Sequence, residues 1–250
     1  MTDLPVPWSE TYRIHHQDFS PYGFMRNARQ IAAAITMGGE AAESYRKALP
    51  YLMRQLDAHT EAEAGGLAFV VYRFDLDVYW HTIKSGWRSA FGNAVIMLGL
   101  LDLFQATGDQ ALRERAERYL SALLAVNYAD GITEVDDSQY LWFEEYPKPA
   151  EHLINGHIIT LLALYHWGQE LADDRVNPLL TAGLTTMRRY LPMVRRAGGV
   201  SAYGLFDLSV ADYGPQRTIN LVRAIAKISG DAEFDALAAA FETDMPLPAQ

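Results

Sequence analysis

One short stretch in the middle of the chain concentrates residues that can exchange protons. Between residues 142 and 157, the carboxylates Glu144 and Glu145 stand directly before Tyr146. A carboxylate can take up a proton, and a phenol, whose ordinary pKa is about 10, can take part if a neighbouring charge tunes it. This arrangement therefore predicts acid/base chemistry in this part of the chain.

The residues that follow suggest how this group is presented. Pro147-Lys148-Pro149 cannot be helical and holds the preceding residues extended, so the glutamates and Tyr146 would lie at the mouth of the next helix. That helix carries Asn155-Gly156 near its start. A glycine inside a helix costs about 1 kcal/mol, so it indicates close packing or the close approach of a ligand. The simpler alternative places Trp142-Phe143 against the core and leaves both glutamates in solvent.

Two later tyrosines and two arginines could complete a site. Tyr203 follows a glycine-containing stretch, and Tyr213 and Arg217 precede the last predicted helix pair. Each tyrosine alone is also compatible with a core residue whose hydroxyl is satisfied. Trp87-Arg88 stands just before another helix. A positive charge there opposes the helix dipole, at a cost in stability of about 0.3–1 kcal/mol. A bound anion would offset that cost, and so would a loose counterion.

Helices must position these residues, because turn signals divide the chain into a series of helix hairpins. Apolar helical runs stop at Thr107-Gly108-Asp109 and at Ser229-Gly230-Asp231, where glycine suits a C-terminal cap and aspartate the next N-cap. Looser junctions of the same kind occur at residues 37–40 and 171–174. The pattern predicts four helix hairpins.

Three segments between the hairpins have a different character. Residues 65–80, 131–142 and 198–208 each open with glycine and are rich in aromatic and β-branched residues, which favours short strands or β-hairpin loops. Helix pairs alternating with such loops are expected of an all-α α/α toroid, and a flat helical solenoid is the rival architecture. We predict one domain over residues 1–250, with an irregular N-terminal segment at residues 1–20.

Composition limits the partners of the chain. Hydrophobic residues make up 50% of the sequence, Cys is absent and the net charge is −10, which excludes thiol catalysis and disfavours nucleic acids. Residues 94–104, the most apolar run, contain Asp102, so no membrane partner is expected. The start of the sequence lacks a secretory pattern, which predicts a cytoplasmic protein. We expect a small-molecule substrate, and the oligomeric state stays open, with a homodimer as one option.

No metal or cofactor is expected from the sequence. His15-His16 are adjacent and do not share one helical face, and His152, His157 and His166 lack the i, i+4 spacing of a helical zinc site. No glycine loop that could cradle phosphate and no dinucleotide motif is present.

Six motifs follow one another along the chain in this order: Gly86-Trp87-Arg88-Ser89-Ala90, Thr107-Gly108-Asp109, Trp142-Phe143-Glu144-Glu145-Tyr146-Pro147, Leu153-Ile154-Asn155-Gly156, Ser201-Ala202-Tyr203 and Asp212-Tyr213. Their order resembles the C-terminal domain of the D-glucuronyl C5-epimerases, over about residues 66 to 241. The resemblance implies an α/α toroid. It also implies that Glu145 and Tyr146 match the glutamate and tyrosine of that family's active site, and that Tyr203 and Tyr213 match its two later tyrosines.

The chemistry implied is epimerisation through a carbanion next to a carboxyl group, which needs acid/base groups on both faces of a sugar ring. We expect Tyr146 and Tyr213 to be the proton-transfer pair, tuned by Glu145, with Tyr203 nearby and Arg88 or Arg217 holding an anionic group. The remaining expected substrate contacts are Trp87, Glu144, Asn155 and His157. The net charge of −10 and the absence of the family's N-terminal β-domain from this sequence favour a small uronic-acid-like or specialised metabolite over a heparan-type polymer.

Two alternatives stay open. A lyase or cyclase could use the same tyrosine pair, and a non-catalytic protein could bind a carbohydrate or metabolite in an aromatic-lined cleft. Ordinary pKa values for Tyr146 and Tyr213 would favour binding alone, and a strongly perturbed value would favour catalysis.

Overall fold

The computed structural model describes residues 19–72, 76–78, 81–83, 85–146, 150–206 and 214–245, which form mainly helices with a few short strands. Their contacts divide the chain into two compact units, unit 1 up to Leu123 and unit 2 from Leu124. The N-terminal segment predicted to be irregular lies almost wholly outside the described residues. The single domain over residues 1–250 stays a prediction.

The described part of unit 1 contains four helices and two small sheets. The helices are α1 (Pro21–Met37), α2 (Gly39–Ala58), α3 (Ala90–Thr107) and α4 (Gln110–Leu124). The strands are β1 (Thr60–Ala62), β2 (Ala68–Tyr72), β3 (Leu76–Val78), β4 (His81–Ile83) and β5 (Trp87–Arg88). They form an antiparallel sheet in the order β1-β2-β5 and a separate β3-β4 hairpin, as the aromatic and β-branched composition of residues 65–80 predicted.

Helix α3 is the core of unit 1. Ser89 caps it by accepting a hydrogen bond from the amide of Gly92 at 3.1 Å, and the buried Asn93 exchanges two 2.9 Å hydrogen bonds with the backbone of β2. Its length and mean hydropathy of 1.4 would suit a membrane span, but 61% of it is buried within the protein, as in a core helix. The one acid of its apolar run, Asp102, pairs with Arg29 at 2.9 Å.

Unit 2 holds a two-stranded hairpin followed by two helix pairs. Strand β6 (Thr133–Val135) pairs antiparallel with β7 (Leu141–Phe143), so the prediction for residues 131–142 is confirmed. The helices are α5 (Ile154–Leu171), α6 (Asn177–Val194), α7 (Pro215–Ser229) and α8 (Ala232–Asp244), with a 3-10 turn at Asp174–Val176 between α5 and α6.

The four predicted hairpin junctions are confirmed. Gly108 ends α3 and Gly230 ends α7, each in the left-handed region with φ of 72° and 62°. Asp231 then caps α8 by accepting a hydrogen bond from the amide of Glu233 at 2.9 Å. The junction at residues 37–40 turns through Gly38, and the junction at residues 171–174 turns through Ala172, both at positive φ.

The prediction of a strand or hairpin at residues 198–208 is wrong for the described part, residues 198–206. Its backbone bonds to the ends of helices instead of to a partner strand. The amide of Ala202 donates to the carbonyl of Val194 at 2.9 Å, and the amide of Leu205 donates to the carbonyl of His152 at 3.3 Å. Only an isolated bridge between Leu153 and Gly204 has β geometry there.

Candidate functional site

Glu145 is the centre of a polar cluster buried in unit 2. It follows β7 and is only 9% exposed. Burial raises the pKa of its carboxyl to about 7, although hydrogen bonds from Asn155 and Tyr146 act in the opposite direction. The nearby charge of Glu144 adds to the rise. The result is a carboxyl group that can gain or lose a proton near neutral pH, as a general base requires.

Gly156 on α5 makes room for this carboxyl group. A Cβ added at Gly156 would lie 2.7 Å from Oε2 of Glu145 and 2.9 Å from its Cβ, which no side chain could tolerate without movement. Gly156 was predicted to mark either close packing or a ligand. It marks close packing against the side chain of Glu145.

Two tyrosines join Glu145 through hydrogen bonds. The hydroxyl of Tyr146 bonds directly to the Glu145 carboxylate, and the pKa of Tyr146 is raised above its ordinary value, by burial first and then by the charge and hydrogen bond of Glu145. Nδ2 of Asn155 donates to Oε2 of Glu145 at 3.0 Å and to the hydroxyl of Tyr203 at 3.1 Å. Four of the predicted site residues thus lie together, and Tyr213 lies outside the described residues.

Asn155 has a second feature that suits a binding role. Its Oδ1 atom is buried and accepts no hydrogen bond from any residue that the structure describes. Asn155 and Tyr203 also line a cavity of about 20 Å³, together with Ser201 and apolar side chains. A volume of this size holds about one water molecule or one ligand hydroxyl.

Glu144 belongs to a different, equally buried interaction. It is fully buried, so the alternative that leaves both glutamates in solvent is wrong, whereas Trp142 and Phe143 lie in the core as that alternative proposed. One carboxylate oxygen of Glu144 is 2.5 Å from Nδ1 of His152, and the other accepts the backbone amide of His152 at 3.2 Å. This pairing explains why the carboxylate can be buried.

His152 is the basic partner in that pair. Burial alone would lower the pKa of its imidazole, but the hydrogen bond and charge of Glu144, with smaller contributions from Glu134 and Asp136, raise it above its ordinary value. His152 has a backbone φ of 50°, a left-handed conformation that few residues other than glycine adopt. In the sequence, His152 suggests only a possible metal ligand, and no local signal reveals its pairing with Glu144.

Glu134, Glu144 and His152 are also the described residues best placed to hold a metal ion. Their ligand atoms lie within 4.8 Å of one another. Glu134 comes from β6, so no spacing within one helix could have revealed the group. Because Glu144 and His152 already neutralise each other, the arrangement needs no cation to explain it.

His157 has a structural position. It is fully buried, Nδ1 accepts the backbone amide of Phe143 at 3.1 Å, and Nε2 donates to the carbonyl of Gly183 at 3.1 Å. Burial lowers the pKa of His157 to about 3, so the ring is neutral near neutral pH. With both nitrogens used, the ring ties β7 and α6 to α5.

The remaining predicted substrate contacts are placed as follows. Arg88, in unit 1, forms ion pairs with Glu61 and Glu63, so its charge is already balanced. Trp87 stacks on Tyr72 with ring centres 3.9 Å apart. Arg217 is exposed on the first turn of α7.

The raised pKa of Glu145 predicts a pH-dependent stability. The protonated carboxyl favours folding, so its contribution is complete below a pH of about 4.5 and is lost as the pH rises through about 7. Between pH 5 and 8, the wild-type protein should lose roughly 3 kcal/mol or less of unfolding free energy relative to Glu145→Gln. Denaturant unfolding of both variants at each pH measures this. Other titrating groups, such as His152, affect both variants alike, and a difference that stays constant with pH would contradict the assignment.

Comparison with known proteins adds a family and a fold. Residues 66–243 match the family model described as the D-glucuronyl C5-epimerase C-terminus. An uncharacterized protein of Methanocaldococcus jannaschii is 26% identical over 148 residues, which cover 57% of this chain and 48% of that protein. A D-glucuronyl C5-epimerase of Caenorhabditis elegans is 27% identical over 139 residues, covering 50% of this chain and 22% of that enzyme. The matches thus span less than half the length of these relatives.

Two solved structures share the fold at low identity. The GH76 alpha-mannanase of Bacteroides thetaiotaomicron has a TM-score of 0.61 at 12% identity, covering 91% of this chain and 60% of that one. Cellobiose 2-epimerase of Bacillus thermoamylovorans has a TM-score of 0.60 at 11% identity, covering 92% of this chain and 61% of that one. Together with the helix hairpins, these likenesses confirm the predicted α/α toroid fold class.

Proposed function

The chain belongs to the family of the D-glucuronyl C5-epimerase C-terminus, and from this we propose that it is a carbohydrate-directed enzyme of isomerase type that moves a proton at an acidic C–H group. The fold alone does not determine the reaction, because a mannanase and a sugar epimerase both share it. The proposal therefore depends on the residues of the site.

The observation that carries it is the buried Glu145 carboxyl with a pKa of about 7, hydrogen-bonded to Tyr146 and to Asn155. A general base works best when its pKa lies near the working pH. The raised pKa of Tyr146 also favours catalysis over binding alone.

These pKa directions suggest a division of roles. The carboxylate of Glu145 takes the proton from the substrate carbon, whose electron pair passes into the adjacent carbonyl or carboxyl group. Tyr146, whose raised pKa keeps it protonated, donates a hydrogen bond to Glu145. Tyr203, or Tyr213 by its resemblance, supplies one proton to the opposite face. Solvent then reprotonates that tyrosine and takes up the proton held by Glu145. Glu145 thus becomes the base instead of only tuning Tyr146.

The substrate in this proposal is a small sugar derivative with an acidic C–H, either uronic-acid-like or carrying a carbonyl group. Incubation in deuterated water should place one deuterium on the reacting carbon, with no other change in mass, as NMR and mass spectrometry would show. Glu145→Gln should lose this exchange, while Glu233→Gln, the same change on the exposed first turn of α8, should keep it. Absence of exchange for every sugar acid and carbonyl sugar tested would overturn the proposal.

A further inference from the structure

An open cleft in unit 2 has a lining that the proposed reaction does not use. Its volume is about 480 Å³, within the range of small-molecule sites. Its lining includes Asp136, Asp137, His152, Tyr190, Met193 and Phe206. Gly204, next to Tyr203, also lines it, so the cleft and the Glu145 cluster share one loop.

One part of the cleft is an exposed apolar platform. Phe206 is 67% exposed and Met193 is 59% exposed, although both are large hydrophobic side chains. The ring of Phe206 lies 5.4 Å from that of His152, which in turn stacks on Trp142 at 4.4 Å. A flat apolar ring exposed in a cleft can pack against the C–H face of a sugar.

The polar side of the cleft is formed by the turn between β6 and β7. The carboxylate of Asp136 is held in place, because it accepts the amide of Tyr140 at 2.9 Å and the indole N–H of Trp142 at 3.1 Å. Tyr190 reaches the same carboxylate at 3.4 Å. Asp137 and Ser138 follow in this rigid turn and are exposed, so they present a carboxylate and a hydroxyl to the cleft.

The charge of this lining is negative. Two aspartates face the cleft, and the positive charge of His152 is paired with Glu144. No lysine or arginine is among the described residues that line it. An anionic ligand would therefore meet repulsion, whereas hydroxyl groups and amines would find acceptors.

We propose that this cleft binds a hydroxyl-rich ring without negative charge, a neutral or amino sugar, with its apolar face on Phe206 and its polar groups on Asp137. The inference rests on the proposed function in one respect, because the bound sugar is taken to be the substrate class of that enzyme.

Three methyl glycosides with the same ring test the charge preference directly: methyl glucoside, methyl glucosaminide and methyl glucuronide. Because the methyl group blocks ring opening, they serve as binding probes. Titration monitored by tryptophan fluorescence and ligand NMR should show the glucosaminide binding at least as tightly as the glucoside, and the glucuronide about tenfold weaker or more. Tightest binding of the glucuronide, or binding of none of the three, would overturn the proposal.

Variants locate the binding in this cleft. Phe206→Ala should weaken all three probes, while Tyr128→Ala, another exposed aromatic of unit 2, should not. Asp137→Asn should reduce the preference for the glucosaminide over the glucuronide, while Asp235→Asn on exposed α8 should leave it unchanged. Unaltered binding in both cleft variants would place the ligand elsewhere and reject the inference.

The two proposals can fail separately. Glu145→Gln should keep glucoside binding and lose deuterium exchange. The expected probe order without any exchange would reject the proposed reaction alone, and exchange without the expected probe order would reject the cleft assignment alone.

Discussion

Replacement of Tyr146 by phenylalanine is expected to lower turnover by a factor of about 10²–10⁴, the contribution of acid/base catalysis, because the base Glu145 loses the hydrogen bond that positions it. The unfolding free energy should fall by only about 0.5–1.5 kcal/mol, since one hydroxyl is removed and the ring is kept. The loss of turnover is expected because the hydroxyl of Tyr146 hydrogen-bonds directly to the Glu145 carboxylate. This bond holds the base in place and couples its charge to the phenol. Steady-state kinetics and denaturant unfolding measure the two quantities.

Tyr119 offers a matched control for that change. It is fully buried, and its hydroxyl lies 2.5 Å from Oγ1 of Thr60 in unit 1. Tyr119→Phe should cost similar stability with little kinetic change. Tyr213→Phe should behave like Tyr146→Phe, and the double variant should lose far less than the product of the two, because both serve one step. Near wild-type turnover in both single variants, with normal folding, would reject the roles proposed for Tyr146 and Tyr213.

Glu144→Leu is expected to produce the largest loss of stability, about 3–5 kcal/mol, because it leaves His152 buried without its partner. For a chain of this size, the melting temperature should fall by roughly 10 °C. The loss should be larger at acid pH, because the intact pair raises the pKa of His152 and stabilises its charged form. That contribution is present below a pH of about 6.5 and disappears as the pH rises through the raised pKa.

Two comparisons test the cause. Glu144→Leu with His152→Phe should recover most of the loss, since apolar groups can replace a buried ion pair at little cost and Phe can stack on Trp142. Glu242→Gln removes a carboxylate from an exposed pair with Arg223 and should cost far less than Glu144→Leu, because solvent screens an exposed pair. If Glu144→Leu costs no more than Glu242→Gln, the buried pair does not support the fold.

The sequence predicted the helices well where local signals decide them. Helix α5 ends at Leu171, at the start of the junction predicted for residues 171–174, and Gly108 and Gly230 end their helices in the left-handed conformation that glycine permits. These features depend on residues within one turn of each other. For that reason a single sequence contains the information.

The burial of the site residues was beyond the reach of local signals. Two adjacent glutamates are typical of a solvated surface, and only the first turn of α5 and the position of His152 enclose them. The role of His157 depends on Phe143 and Gly183, which come from different elements. Likewise, Asp136 and Tyr190 are 54 positions apart in the chain and meet only in the folded unit.

The way α5 begins has a further consequence for Glu145. Leu153 precedes the helix and provides no side-chain cap, so the first turn keeps the partial positive charge of its amides. Glu145 lies against this turn at Gly156. As its carboxyl loses a proton, the new negative charge forms in a field already oriented by a rigid backbone. The helix thus favours the ionised carboxyl that serves as the base, in opposition to the burial that raises its pKa, and this stabilisation is given up when the carboxylate takes the proton from the substrate.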